Sequence, residues 1–137
     1  MNIAKELLNG ATLVVINGEK VCTYNERGIK ALLNLLQNDP LFLEKATVAD
    51  KIVGKAAALL MVKGGVKEVY AETISESAKE VFLRHQIPVS FGTSTLRIIN
   101  REGTGPCPME STVEKIDDPS EAYEALKQKV KNLRKKQ

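Results

Sequence analysis

Between Val66 and Gly92 the sequence spells out a strand, a helix and a second strand, and no other feature constrains the fold as tightly. Val66 to Glu72 is rich in β-forming residues, and Ile87 to Phe91 is a second such run, ended by Gly92. Between them Ser75 is placed to cap a helix in which Ala78, Val81, Phe82 and His85 recur at i, i+3, i+4 and i+7. A strand-helix-strand unit this compact predicts two parallel strands joined by a right-handed crossover.

The flanking segments predict the rest of the domain. Ile3, Ala4, Leu7 and Leu8 form a short helix stopped by Asn9-Gly10. Thr12 to Ile16 and Lys20 to Tyr24 are strands, and Asn17-Gly18 is the favoured type I′ pair for the hairpin turn. Asn25 can cap a second helix, with Ile29, Leu32, Leu33 and Leu36 on one face, that ends before Pro40. Leu41 to Ala46 fits no single pattern. Asp50 reads as the N-cap of a third helix reaching about Lys63 and closed by Gly64-Gly65. On it Gly54, Ala57, Ala58 and Met61 make a flat strip suited to tight packing on a sheet. Leu96 to Asn100 can add a strand, and Arg101 to Thr112 reads as a Gly- and Pro-rich loop. Asp118-Pro119-Ser120-Glu121 is a strong helix start, followed by the stripe Tyr123, Leu126, Val130 and Leu133 on a helix over about 119–134. The expected fold is one α/β domain over 1–137: a three-layer α/β/α sandwich with a mixed sheet of four to five strands.

Composition narrows the function classes. A chain of 137 residues, 43% of them hydrophobic, can bury a core without disulfides or a structural metal, although at 4% aromatics that core must be mostly aliphatic. Two cysteines, Cys22 and Cys107, form no disulfide framework and suit a reducing, cytoplasmic setting. Glu6 directly before Leu7-Leu8 argues against a signal peptide, and the longest apolar stretch, Ala56 to Val62, is too short for a membrane span. The net charge of +3 is concentrated in a basic tail of Lys127, Lys129, Lys131, Arg134, Lys135 and Lys136. Acids upstream and bases at the end complement a helix dipole, and no aromatic residue interleaves with the lysines to stack on bases, so nucleic acid is not the expected partner.

The string Pro106-Cys107-Pro108-Met109-Glu110 invites comparison with zinc deaminases, whose Pro-Cys-x-x-Cys segment supplies two thiolates. Here the second cysteine position holds Glu110, and neither His85 nor Cys22 is followed by the glutamate of the partner motif, so no zinc and no other cofactor is expected. Gly103-Thr104-Gly105 lacks the Gly-Lys-Ser/Thr ending of a phosphate loop and reads as a plain turn. The order of elements nevertheless resembles the cytidine-deaminase-like superfamily: a helix, a hairpin, a helix where the first zinc motif would sit, then a strand-helix-strand unit carrying the second. Asp50-Lys51-Ile52-Val53-Gly54-Lys55-Ala56-Ala57, Asn100-Arg101 and Cys107-Pro108-Met109-Glu110 resemble a small family of unknown function assigned to that superfamily, a likeness covering roughly residues 1–112.

That resemblance implies two helix starts converging at one end of the sheet, where N–H groups could hold an anion or a polar ring in place of the metal. Asp50 and Lys55 from one start and Ser75 and Ser77 from the other would bind a small polar, nucleotide-like ligand, with Cys107 and Glu110 closing the site from the loop. Asp50 and Ser75 read equally as ordinary caps, and Lys55 as a solvated side chain. Two other readings stand beside it. Cys107 could be a nucleophile or redox thiol with Glu110 as base or orienting group, although His85, the sole histidine, reads as a packed side chain. The chain could instead be an interaction or homo-oligomerisation module that docks a partner on the Gly54/Ala57/Ala58 strip or the last helix.

Overall fold

Thr12 to Tyr24 folds as the expected hairpin: β1 (Leu13–Asn17) and β2 (Lys20–Tyr24) pair antiparallel in the computed structural model, which describes residues 2–26, 28–98 and 107–135. The turn is shifted by one residue from expectation. Asn17 belongs to β1 and pairs with Lys20, leaving Gly18-Glu19 as the turn, with the positive φ (62°) at its first residue. That is the type II′ signature rather than type I′. The Asn17 side chain explains the shift: its amide donates to the carbonyls of Phe42 and Glu44, each at 2.9 Å, tying the hairpin to the short 3-10 turn at Pro40–Phe42.

The larger correction concerns Asp50, which caps no helix. Thr47–Val53 is a strand, β3, and the helix begins only at Lys55, with Gly54 as its N-cap residue. Asp50-Lys51 interrupts an otherwise β-rich run, which disguises the strand, while an aspartate ahead of Lys-Ala-Ala-Ala imitates a cap. β3 lies in the middle of a five-stranded mixed sheet of order β2-β1-β3-β4-β5, antiparallel to β1 and parallel to β4 (Glu68–Ser75), which is parallel to β5 (Val89–Thr95). Leu96 to Ile98 adds no strand, and Ile99 to Pro106, including Asn100-Arg101 and the Gly103-Thr104-Gly105 turn, lies outside the described residues, as does the Leu133 side chain.

α1 (Asn2–Leu7) covers one face of β1 and β3, where Ala4, Leu8, Ala11, Val14 and Ala49 form a small second core. The opposite face carries α2 (Gly28–Asn38), α3 (Lys55–Gly64) and α4 (Glu76–Arg84). Between them α3 is apolar on every side: all residues from Ala56 to Met61 are buried. Its inner side meets the sheet, α2 and α4 flank it, and α5 (Pro108–Val113) and α6 (Pro119–Lys135) close over it. The small-residue strip Gly54/Ala57/Ala58 is therefore consumed inside the domain and is no docking surface for a partner. Gly65, at φ 77°, ends α3 as the glycine pair predicts.

Two further expectations change. His85 is the exposed C-cap residue of α4 and not a packed one, because the helix ends at Arg84 before the stripe reaches it. Pro108 to Thr112, the end of the segment read as loop, belongs to α5 (Pro108–Val113), with Pro108 at its first position. The helix at Pro119 starts as predicted, Asp118 Oδ2 accepting from Glu121 N at 2.8 Å. Because Leu60 is fully buried in the enclosed helix, Leu60→Ala is expected to cost about 2–5 kcal/mol in urea unfolding, the range for large-to-small core changes.

Candidate functional site

β3 and β4 run in register to Val53 and Ile74, so the residues that follow, Gly54 and Ser75, emerge side by side. Each starts a helix. The two starts do lie at one end of the sheet, but both are satisfied from within the chain. Ser75, itself buried, caps α4: its Oγ accepts from Ala78 N at 3.2 Å and sits 3.2 Å from Ser77 Oγ.

The α3 start is held by Glu110. The carboxylate reaches across from α5, Oε1 accepting from Lys55 N at 2.7 Å and Oε2 from Ala56 N at 3.0 Å. An anion thus occupies the N–H groups that a ligand phosphate would seek. Burial pushes the Glu110 carboxyl above its usual pKa, against the opposing pull of those two N–H groups and the Lys55 charge. Gly54 makes the approach possible, since a Cβ there would fall on the carboxylate itself. The Lys55 ammonium turns to the α5–α6 connection, 3.1 Å from Asp117 Oδ1 and 3.2 Å from the Glu114 carbonyl. Its hydrogen bond and charge, with a smaller contribution from Arg84, lower the Asp117 pKa.

Cys107 is the half-buried N-cap residue of α5. Its expected helper, Glu110, spends both oxygens on α3, and His85 stands exposed at the far end of α4. Among the described residues no three His, Cys, Asp or Glu side chains are grouped to hold a metal.

Asp50 is the feature that capping does not explain. It lies on the helix-bearing face of β3, paired with Leu13 and Ala71 and 2% exposed. Oδ1 makes one long contact, 3.4 Å from Ile52 N, and Oδ2 has no hydrogen-bond partner among the described residues. Burial, only partly offset by the Ile52 and Lys51 N–H groups, pushes its pKa up to about 7. Oδ2 is aimed at the first turn of α2, where a Cβ on Gly28 would lie 2.7 Å away. Sequence reasoning picked Asp50 for the wrong element and missed Gly28; it picked out Gly54 as a place of close approach but assigned that approach to the sheet, where the structure brings the Glu110 carboxylate. A shallow depression lined by Glu68, Val69, Pro88, Val89 and Ser90 lies at the other end of the strands.

A family profile described as a domain of unknown function, DUF1893, matches residues 2–130. The chain belongs to the DUF1893 family. The fold is similar to the crystal structure of a DUF1893 family protein, TM1506, from Thermotoga maritima, with a TM-score of 0.85 at 25% identity over 93% of this chain and 88% of that one. No curated protein matches the sequence.

Two outcomes test this geometry. Gly54→Ala is expected to destabilise the protein by expelling Glu110, and to cost markedly less when Glu110→Ala has already removed the carboxylate. The double-mutant cycle should show a coupling of about 0.5–3 kcal/mol, the range for residues in contact. For Asp50 the folded pKa is raised, so the native state holds the proton more tightly than the unfolded chain. Its contribution is complete below about pH 4 and is lost as pH rises to about 7, on the order of 4 kcal/mol in all. Asp50→Asn cannot ionise, so its Tm relative to wild type should climb steadily between pH 4 and pH 8.

Proposed function

We propose that this DUF1893 domain is a metal-free relative of the cytidine-deaminase-like superfamily that binds a small polar, nucleotide-like molecule at the C-terminal end of β3 and β4. The order of elements supports the kinship: helix, hairpin and helix, then two strand-helix steps, β3-α3 and β4-α4, whose helices start side by side at Gly54 and Ser75. Asp50 Oδ2, which has no hydrogen-bond partner among the described residues, carries the ligand reading. A buried acceptor left unpaired costs about 1–3 kcal/mol, and a ligand N–H donor would remove that cost. Adjacent N–H donors of an aminopyrimidine-type ring match a carboxylate's two oxygens, so a nucleobase edge is the chemistry that fits.

In this reading Asp50 recognises the donor edge beside the first turn of α2, where Gly28 packs so closely that a Cβ would collide with the carboxylate. Ser75 and Ser77 offer hydroxyls from the α4 start, and Lys55 offers its ammonium once the contact with the exposed Asp117 opens. Glu110 holds the α3 start in its bound geometry and Cys107 flanks it, both on the segment that closes the site. The setting is the cytoplasm, where such ligands abound.

A thermal-shift series with nucleosides and nucleotides, paired with native mass spectrometry of the purified protein, tests the reading. A bound ligand is expected to raise Tm by several degrees, to bind more tightly as pH rises through 7 and Asp50 ionises, and to lose its effect in Asp50→Asn. Absence of any shift across the series, or a shift unchanged in Asp50→Asn, overturns it.

A further inference from the structure

β5 forms one edge of the sheet, and its seven residues, Val-Ser-Phe-Gly-Thr-Ser-Thr, contain no charge and no proline. Solitary domains guard such edges with lysine, proline or a bulge, because bare N–H and C=O groups recruit another strand. β5 has none of the first two, and five of its residues are exposed. Large apolar side chains gather beside it: Leu83 of α4 is 81% exposed, Leu96 just past the strand 72%, and Phe91 42%.

α4 is bound to this edge by one stripe. Glu76 accepts from Ser94 Oγ at 2.9 Å, and the Lys79 ammonium lies 4.4 Å from the centre of the Phe91 ring. Glu76, Lys79 and Leu83 are spaced i, i+3, i+7 and share that face of the helix. The order along the edge is therefore Glu76 at Ser94, Lys79 at Phe91, and Leu83 about two residues further toward the start of β5, since four helical residues rise about 6 Å and strand residues about 3.3 Å each.

We propose that the β5 edge pairs with the same edge of a second copy of this chain, antiparallel and two-fold symmetric about Gly92. Symmetry sets the contacts. Ser90 faces the partner's Ser94, and Phe91 faces the partner's Thr93. Lys79, seated at Phe91, then lies beside the partner's Glu76, and Glu76 beside the partner's Lys79, so the charges alternate across the axis. Leu83 reaches the level of the partner's Leu96, which brings the two most exposed leucines of this edge together. Paired strands stand about 4.8 Å apart, and α4 sits over β4 and β5, so the two α4 helices come within about 10 Å, the ordinary distance for packed helices. A self-matching patch of this kind closes into a dimer and grows no further. The pairing uses the β5 edge and the outer face of α4, and its test needs no ligand, although the proposed ligand site takes Ser75 and Ser77 from the start of the same helix.

Sedimentation velocity and light scattering of the full chain over a concentration series test the pairing. Wild type is expected to be a dimer. Thr93→Lys, which sets a lysine against the partner's Lys79, and Lys79→Glu, which sets it against the partner's Glu76, are each expected to weaken the dimer at least about tenfold. The exchange Glu76→Lys with Lys79→Glu restores the alternation and is expected to recover most of the affinity. Circular dichroism should show each variant folded. A wild type that stays monomeric at the highest concentration overturns the proposal, as does a dimer indifferent to both Thr93→Lys and Lys79→Glu.

Discussion

Enclosure of α3 is the constraint on which the rest of this structure depends. A helix apolar on one stripe can rest on a sheet and leave its other side to water; one buried from Ala56 through Met61 cannot. Its alanines let the sheet and neighbouring helices approach closely, and its leucines and Met61 fill the spaces between them. The chain must therefore continue after the sheet is complete. α5 and α6 add no strand, and their place over the outer side of α3 is what makes so apolar a helix tolerable. Gly64 belongs to the same arrangement, with Leu43 packed against it closely enough that a Cβ would collide.

The same closure shapes the candidate site. The segment carrying Cys107 and Glu110 is fastened to α3 by a carboxylate on the helix's leading N–H groups, so part of the anion-binding capacity at the strand ends is already used. Asp50 differs in kind. Glu110 offsets part of its desolvation cost through two hydrogen bonds, whereas Asp50 keeps one oxygen without a partner among the described residues. An ionisable group in the middle of a central strand weakens the fold it sits in.

The sequence was most legible where a local signal had a local cause. The hairpin, the Ser75 cap, the Gly65 stop and the Asp118-Pro119 start depend on residues within a few positions of one another, and all four were found. β3 was hidden because Asp50-Lys51 breaks its apolar pattern, and a buried carboxylate in a strand is recognisable only once α2 has been laid over it. The Asn17 register depended on carbonyls of Phe42 and Glu44, far along the chain. Glu110 was picked out as a candidate, but its attachment to Lys55 and Ala56 spans more than fifty residues and has no sequence signature. His85 failed for a simpler reason: helical spacing says nothing about where the helix stops.

The position of α6 has a consequence for how the molecule comes apart. It leans on α3 and α5, while the strands hold one another through backbone pairing that does not involve it. Detachment of α6 would strip the cover from α3 and leave the sheet's ladder whole. Amide exchange should then divide the chain into a labile outer cap and a slower inner body. The transiently uncapped form would present a greasy flank, the species on which chaperones and proteases act first.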